Sequence, residues 1–167
     1  SSVSGCPPFE VNFINSTIGG NSFEWDFGDD SPKSNEVSGV DHIYTEPGIY
    51  RAVLSVTAPL GKVVTKDTLI TVHELPEADF EIAEESIYIP DEHLRCFNFS
   101  HNTDSSICDF GNGEFVSERS PIFTYNEEGL YDVTLTVLSE HGCRDSITIP
   151  ELVNVIRRGS LALPDAF

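Results

Sequence analysis

The sequence contains one pattern twice, and this internal repeat constrains the fold more than any other feature. Residues 26–28 and residues 109–111 both read Asp-Phe-Gly, at an offset of 83 residues. Residues 42–56 (HIYTEPGIYRAVLSV) likewise correspond to residues 123–137 (FTYNEEGLYDVTLTV), at an offset of 81 residues. Because the blocks keep their order at nearly the same spacing, we expect two copies of one module, over residues 1–74 and 75–156.

Alternating hydrophobic residues predict that each copy is built from β-strands. Phe23, Trp25 and Phe27 alternate with polar residues, and residues 50–56 and 131–137 repeat this period of two. Such a period is that of a half-buried strand. Gly- and Pro-rich turns separate the strands, and no helical period is present. The predicted fold class is therefore all-β, with two tandem immunoglobulin-like β-sandwiches.

The first strand differs between the copies. The second copy opens with residues 77–89 (EADFEIAEESIYI), which read as one strand ahead of Phe99. The first copy has only a short run before the equivalent Phe13. Its first strand is therefore expected to be clipped or replaced by a shorter one.

A Gly-x-Tyr pattern opens the long strand of each copy, at Tyr50 and Tyr131. It predicts a tyrosine corner, in which the phenol OH bonds to upstream backbone. Ala52 and Val133 stand where immunoglobulin domains carry a cysteine, so that inter-sheet disulfide is not expected. The residues assigned a structural role are Trp25, Phe27, Tyr50, Phe110 and Tyr131.

Residues 25–29 (WDFGD), followed by His42-x-Tyr44-x-x-Pro-Gly-x-Tyr50, resemble the motif of the PKD (polycystic kidney disease-type) domain. The first copy departs from it at Asp30, where the family usually has Gly. The second copy departs at three positions, which are Cys108, Asn112 and Phe123. The resemblance implies an extracellular immunoglobulin-like sandwich used as a spacer or protein-contact module.

The tail, residues 157–167, ends in Pro164-Asp165-Ala166-Phe167. It resembles the opening of the C-terminal secretion and anchoring region of Bacteroidota surface proteins, associated with type IX secretion and gliding. The resemblance implies a linker toward a further secretion domain and a cell-surface location. The absence of Met is expected of a mature or excised piece of a longer chain.

The charge balance limits the partners. The chain has 28 acidic and 9 basic side chains and a net charge of −19. Nucleic acid and anionic membranes need a basic face, so neither is an expected partner. No apolar stretch approaches the ~20 residues of a membrane span. The expected partners are other domains of the same chain and an extracellular protein or polysaccharide, and the expected state is a monomer.

Asp26-Phe27-Gly28 also raises the possibility of an enzyme. A phosphotransferase with this triplet needs a glycine-rich phosphate loop, a strand lysine and a catalytic Asp–Asn pair. None of the three lysines stands in such a context, no Ser lies in Gly-x-Ser-x-Gly, and no His pair has ligand spacing. Neither catalysis nor a cofactor is expected. Instead Asp26 should face outward and bond its own backbone two residues on, in a turn over residues 28–31.

Calcium is the alternative use of the acidic residues. Ca²⁺ needs six to eight oxygens. In the calcium-binding PKD domains of bacterial collagenases, the resemblance implies an acidic loop before the Trp and another after the long strand. Those loops in the first copy, residues 15–21 and 58–62, contain no acid. The second copy offers Asp104, Glu140 and Asn102, with Asp104 as first candidate, so no strong calcium requirement is expected.

A disulfide between Cys108 and Cys143 is predicted from the order of strands. Cys108 stands early in the third strand and Cys143 at the start of the last, and the loops before these strands lie at one end of an immunoglobulin-like sandwich. Cys96 begins the second strand and should lie at the opposite end as a free thiol. Cys6 should be free or paired with upstream sequence.

Two functions from different classes fit these features. The leading hypothesis is a non-catalytic extracellular spacer or stalk that holds a functional domain away from the membrane. The alternative is an adhesive or substrate-binding module for protein or polysaccharide, accessory to a hydrolase. Such binding faces expose aromatic residues. Because Trp25 is the only Trp and its period assigns it to the core, the sequence favours the spacer.

Overall fold

The computed structural model describes residues 2–159 and confirms the predicted all-β fold. The chain divides into two compact units, which we call unit 1 (to Leu75) and unit 2 (from Pro76). One short 3-10 turn lies at Pro59–Gly61. Within residues 2–159, no helix has the length and apolar character needed to cross a membrane. The tail motif at residues 164–167 lies outside the described residues.

Unit 1 is a sandwich of a four-stranded and a two-stranded sheet. The four-stranded sheet has the order β1-β6-β5-β3 and the other pairs β2 with β4. Strand β1 runs parallel to β6, whereas the other neighbours are antiparallel. The strands are β1 (Ser2–Gly5), β2 (Phe9–Ile14), β3 (Ser22–Asp26), β4 (Gly39–Tyr44), β5 (Gly48–Thr57) and β6 (Val63–Val72).

Unit 2 repeats this plan with more strands. Its sheets have the orders β11-β10-β13-β14-β8 and β12-β9-β7. Strand β8 runs parallel to β14, as β1 does to β6. The strands are β7 (Phe80–Ile82), β8 (Ser86–Ile89), β9 (Leu94–Asn98), β10 (Ser105–Asp109), β11 (Phe115–Val116), β12 (Ile122–Phe123), β13 (Gly129–Leu138) and β14 (Arg144–Arg157).

The predicted alternation places one face of each central strand in a core. On β3 the side chains of Phe23 and Trp25 are buried, and Phe27 follows them into the same core. Each unit has its own cluster of buried hydrophobic residues, which lies between its two sheets. The period of two in the sequence therefore identifies the side chains that become buried on folding.

The predicted single strand over residues 77–89 is instead two strands. β7 pairs antiparallel with β9 in one sheet, whereas β8 pairs parallel with β14 in the other. The chain therefore crosses from one sheet to the other between Ile82 and Ser86. In the described part of unit 1, only the counterpart of β8 is present, namely β1, so β2 has β4 as its one strand neighbour there.

The predicted disulfide between Cys108 and Cys143 is wrong. Cys108 is a buried free thiol, and Cys143 is disulfide-bonded but not to Cys108. Cys96 is free, as expected, whereas Cys6 is disulfide-bonded rather than free. The prediction failed because it placed Cys96 at the wrong position between the two ends of the sandwich. Cys96 occupies the middle of β9, faces the core, and hydrogen-bonds with Cys108 instead of lying at the far end of the sandwich.

Candidate functional site

The Asp-Phe-Gly triplet forms a tight turn in both units. An Asp26 Oδ1 atom accepts a hydrogen bond of 3.1 Å from the Gly28 N–H, and Asp109 Oδ1 accepts one of 2.9 Å from the Gly111 N–H. This is the local bond predicted for an Asp at the start of a turn. Asp26 faces solvent and lies 3.1 Å from Lys33 Nζ. The Lys33 ammonium, helped by the Gly28 N–H, lowers the pKa of Asp26.

The glycine of the triplet is required by two constraints at once. Gly28 has φ of +80° and Gly111 has φ of +76°, in the region that disfavours side chains. A Cβ atom added to Gly28 would lie 2.6 Å from the backbone oxygen of Arg51, and one added to Gly111 would lie 2.6 Å from that of Asp132. The turn therefore packs directly on the neighbouring long strand, which leaves no room for a methyl group.

In unit 1 the next residue, Asp29, joins the turn to the other sheet. Its Oδ2 atom lies 2.6 Å from His42 Nε2, and its Oδ1 atom accepts bonds from the Ser31 hydroxyl (2.6 Å) and the Ser31 N–H (3.2 Å). Burial alone would raise the pKa of Asp29, but the hydrogen bonds from Ser31 and His42 outweigh it and lower the pKa. We call this pair the Asp29–His42 clasp.

The imidazole of the clasp is held by aromatic neighbours. The His42 ring stacks on Phe27, with centroids 3.9 Å apart and planes 1° from parallel, and meets Tyr44 edge-on at 4.7 Å. Asp29 and His42 side chains are each about one-sixth exposed, at 17% and 16%. The His42 ring is thus held between the aromatic core and the Asp29 carboxylate. It contacts Phe27 and Tyr44, which belong to the same sequence motif.

Unit 2 keeps the aromatic stack but not the charged pair. Phe123 replaces His42 and stacks on Phe110, with centroids 4.1 Å apart and planes 10° from parallel. Asn112 replaces Asp29, and its Oδ1 atom accepts a bond of 3.1 Å from the Glu114 N–H. The stacking geometry is therefore common to both units, while the carboxylate–imidazole contact belongs to unit 1.

Two tyrosines per unit tie side chains to backbone carbonyls. The buried Tyr44 and Tyr125 hydroxyls each donate a 3.0 Å bond, to the carbonyls of Phe27 and Phe110. Burial raises the pKa of both tyrosines. The Tyr50 and Tyr131 hydroxyls donate to the carbonyls four residues upstream, at Glu46 (2.8 Å) and Glu127 (3.1 Å), which is the geometry of a tyrosine corner.

Trp25 is a core residue with one polar tie. Its side chain is 5% exposed and packs on Phe13, with ring centroids 5.6 Å apart. The indole N–H donates a 2.9 Å bond to the Glu36 carbonyl. Phe27 and Phe110 are also buried, at 4% and 0% exposure.

Asp104, the first calcium candidate, lies in the loop before β10. Its backbone N–H donates a 2.8 Å bond to the Leu138 carbonyl. Among residues 2–159, no group of three or more His, Cys, Asp or Glu side chains converges in a way that could hold a metal ion. Calcium binding at Asp104 thus has no carboxylate cluster to support it in this part of the chain.

An apolar cleft along one side of unit 1 was not indicated by any sequence motif. It consists of two adjoining cavities, of about 140 Å³ and about 360 Å³, which share Leu54 and Lys66. The first is floored by Trp25 and Leu54, and the second is bounded by Ile18 and Val64. We call these two cavities together the side cleft.

The side cleft marks the place that β7 occupies in unit 2. There β7 pairs with β9, and Phe80 buries its ring in the core. Leu54 and Val56 are 9% and 8% exposed in unit 1, whereas the equivalent Leu135 and Val137 are 2% and 0% exposed. The one related feature of the sequence is the shorter run before Phe13.

Comparison with known proteins shows that the chain is similar to PKD domains. Residues 3–72 match the family model described as "PKD domain". The chain is 33% identical over 88 residues to the pre-pro-metalloprotease PrtV of Vibrio cholerae, a match that covers 50% of this chain and 9% of that protein. It is also 33% identical to the PKD1 domain of Vibrio anguillarum Epp, covering 50% of this chain and 98% of that domain with a TM-score of 0.42. The PKD1 domain of Vibrio cholerae PrtV matches at 33% identity, 48% and 99% coverage, and a TM-score of 0.40.

Proposed function

We propose that this chain, whose residues 3–72 belong to the PKD domain family, is a non-catalytic spacer of an extracellular protein. PKD domains are extracellular modules and occur in proteases such as PrtV. In this role the chain holds a functional domain away from the cell surface or links it to a secretion region. Its binding partners are then the neighbouring domains of the same protein.

One observation carries this proposal: the polar residues of the family motif are used inside the fold. Asp26 caps its own turn, Asp29 bonds His42 and Ser31, and the Tyr44 and Tyr50 hydroxyls bond backbone carbonyls. A motif that recognised a ligand would direct such groups toward a shared open site. Here each contact instead stabilises one sandwich, which is what a spacer needs.

The surface charge supports the same role. The net charge of −19 disfavours association with nucleic acid and with anionic membranes, and it keeps identical chains apart. A spacer benefits from this repulsion because it has to remain monomeric while the domains it separates act. Location at the cell surface and export by the type IX route belong to this proposal, on the resemblance of residues 164–167 alone.

Co-sedimentation with insoluble polysaccharides and with fibrillar collagen tests the spacer proposal. The intact chain should remain in the supernatant to the same extent as an unrelated acidic protein, and sedimentation equilibrium should give the monomer mass. Saturable retention on any of these matrices would contradict the spacer and support the substrate-binding alternative.

The side cleft favours a second candidate function, the binding of an extended peptide segment. Two strand edges border the cleft within the described residues: β2, which has β4 as its one strand neighbour, and the first part of β6, since β1 pairs only with Leu69–Val72. Exposed strand edges present N–H and C=O groups that an added strand can pair with.

Unit 2 indicates which kind of peptide would fit the side cleft. There the equivalent place holds residues 78–82, which alternate apolar and acidic side chains and bury Ala78 and Phe80. A peptide with an aromatic residue flanked by polar residues would put its ring over Leu54 and Trp25 and pair its backbone with β2. This candidate is a peptide-binding module in which unit 1 accepts one strand.

A peptide of residues 77–83 (EADFEIA) tests this second candidate against the intact chain. Because Trp25 floors the cleft, binding should change its fluorescence saturably. The matched controls are the same peptide with Ser in place of Phe, and the chain with Val64→Glu, which alters an exposed residue at the cleft rim. No fluorescence change with EADFEIA, or an equal change with the control peptide, would contradict strand addition and leave the spacer.

A further inference from the structure

Unit 2 carries two cysteine thiols face to face in its core. Cys96 lies on β9 and Cys108 on β10, in the two opposite sheets of the sandwich. Each side chain is 1% exposed, and the two thiols hydrogen-bond to one another. They belong to one cluster of buried hydrophobic residues that includes Phe110 and Leu135.

The strand registers show what these thiols replace. Val11 pairs with His42, and Leu94 pairs with Phe123, which is the residue equivalent to His42. Two residues further along the same strands stand Phe13 in unit 1 and Cys96 in unit 2. The counterpart of Phe13 is therefore Cys96 and not Phe99, as the sequence had suggested, and the Phe99 side chain is exposed.

On the opposite sheet, Trp25 pairs with Leu54, and Cys108 pairs with the equivalent Leu135. Cys96 and Cys108 therefore occupy the two positions of the Phe13–Trp25 contact, whose ring centroids lie 5.6 Å apart. In unit 1 this cross-sheet contact is made by two large rings, and in unit 2 by two sulfur atoms.

We propose that Cys96 and Cys108 form an inter-sheet disulfide when the protein is oxidised, replacing the Phe13–Trp25 packing contact by a covalent bond. Two small side chains cannot fill the volume of a Phe and a Trp, so the pair contributes less dispersion energy to the core. A covalent bond between the sheets offsets that loss. The S–S bond requires the two sulfur atoms, already in hydrogen-bonding contact, to approach to about 2.05 Å.

The oxidant is a small-molecule disulfide or the disulfide of a thiol oxidoreductase. The Cys96 sulfur, as the thiolate, attacks one sulfur of that disulfide and releases one reduced thiol, giving a mixed disulfide. The Cys108 sulfur then attacks Cys96 Sγ and releases the second thiol. Two electrons pass from the protein dithiol to the reagent, and the two protein protons end on the two released thiols.

In the folded unit, the hydrogen bond with Cys96, together with burial, raises the pKa of the Cys108 thiol and keeps that thiol protonated. Because both thiols are buried, exchange has to occur while the chain folds or during an opening of unit 2.

Peptide mapping of the wild-type chain is the direct test. The protein is refolded with oxidised and reduced glutathione, alkylated in denaturant without reductant, and digested. We expect one peptide pair that joins Cys96 to Cys108 and the loss of both alkylated forms. Alkylation of both residues after this treatment, or linkage of either one to another cysteine, would overturn the proposal.

The thermal midpoint of unit 2 gives a second readout. Reduction should lower it by about 10 °C, since the bond closes a short loop of the unfolded chain. The matched control is C96A/C108A, which retains Cys6 and Cys143 and so reports any effect of reducing other cysteines. Trp25 fluorescence follows unit 1 separately, because Cys6 in that unit is disulfide-bonded and also responds to reduction. An equal shift in the wild type and in the double variant would also contradict the proposed bond.

Discussion

Units 1 and 2 build the same sandwich with different chemistry at equivalent positions. In unit 1 a carboxylate and an imidazole meet at 2.6 Å over the stacked ring of Phe27. In unit 2 the same place holds Asn112 and Phe123, and the ring stack on Phe110 persists. A flat ring at this position is therefore common to both units, whereas the charged partner is specific to unit 1.

The cores differ in a second respect. Unit 1 relies on the Phe13–Trp25 contact and leaves the side cleft open, whereas unit 2 carries Cys96 and Cys108 and covers its edge with β7. In unit 2, β7 adds the buried ring of Phe80 to the cluster that contains these thiols, and the described part of unit 1 has no counterpart of β7.

The largest expected effect is a difference in stability between core substitutions in the two units. Trp25→Ala should lower the free energy of unfolding of unit 1 by about 3–5 kcal/mol, because it leaves a cavity and the Glu36 carbonyl without its donor. Cys108→Ala, measured under reducing conditions, should cost unit 2 about 1–2 kcal/mol, because it removes a single sulfur atom. Urea unfolding followed by circular dichroism measures both. Equal costs would show that Trp25 does not support the core of unit 1.

Gly28→Ala and Gly111→Ala should each cost about 2–4 kcal/mol, since the added Cβ combines an unfavourable φ with a clash against backbone. The matched controls are Gly19→Ala and Gly113→Ala. These have φ of +85° and +87° but open space around the added atom, and should cost about 1 kcal/mol. If the controls lost as much stability in urea as the turn variants, the contact with the long strand would be irrelevant.

Removing the buried tyrosine hydroxyls should have a similar effect in both units. Tyr44→Phe and Tyr125→Phe should each cost about 1–3 kcal/mol, because a buried carbonyl loses its donor. Tyr50→Phe and Tyr131→Phe, whose acceptors are nearer to water, should cost about 0.5–1.5 kcal/mol. Thermal unfolding monitored by calorimetry compares the four variants. A clear loss of stability in one unit alone would contradict the proposal that the tyrosine hydroxyls play the same role in both units.

The smallest effect is a pH dependence confined to unit 1. Because the pKa of Asp29 is lowered in the folded state, its contribution to stability is present above its ordinary pKa of 3.8 and is lost as the pH falls through the folded value. Between about pH 5 and about pH 2, the urea midpoint of unit 1, followed by Trp25 fluorescence, should therefore fall. Asp29→Asn should reduce that fall, and an unchanged pH profile in this variant would assign the effect to other carboxylates.

The fold could be predicted from the sequence because each copy contains short local patterns that are typical of strands and turns. The period of two around Trp25 and Tyr50, the turn at Gly28 and the Gly-x-Tyr pattern each depend on a few adjacent residues. Two features depend on the relative height of strands that are distant in sequence. These are the cysteine pairing and the side cleft, and neither could be derived from spacing along the chain.

Cys96 illustrates this limit. Its position early in a strand suggested one end of the sandwich, but its place along the sandwich depends on the register of β9 on β12, in which Leu94 pairs with Phe123. The same holds for residues 77–89. Their pattern predicts a strand, but not that the chain changes sheets between β7 and β8.

The most direct test of the central claim is to graft the unit 2 chemistry into unit 1. The variant D29N/H42F should fold as a sandwich and lie within about 1 kcal/mol of the wild type, because Phe can take the place of His42 over Phe27. His42→Phe alone should cost about 1–3 kcal/mol, since it leaves the Asp29 carboxylate without its imidazole partner. Urea unfolding at neutral pH, followed by Trp25 fluorescence, measures both variants. A double variant that unfolds, or that is less stable than His42→Phe, would contradict the claim that the motif holds the fold by its ring stack.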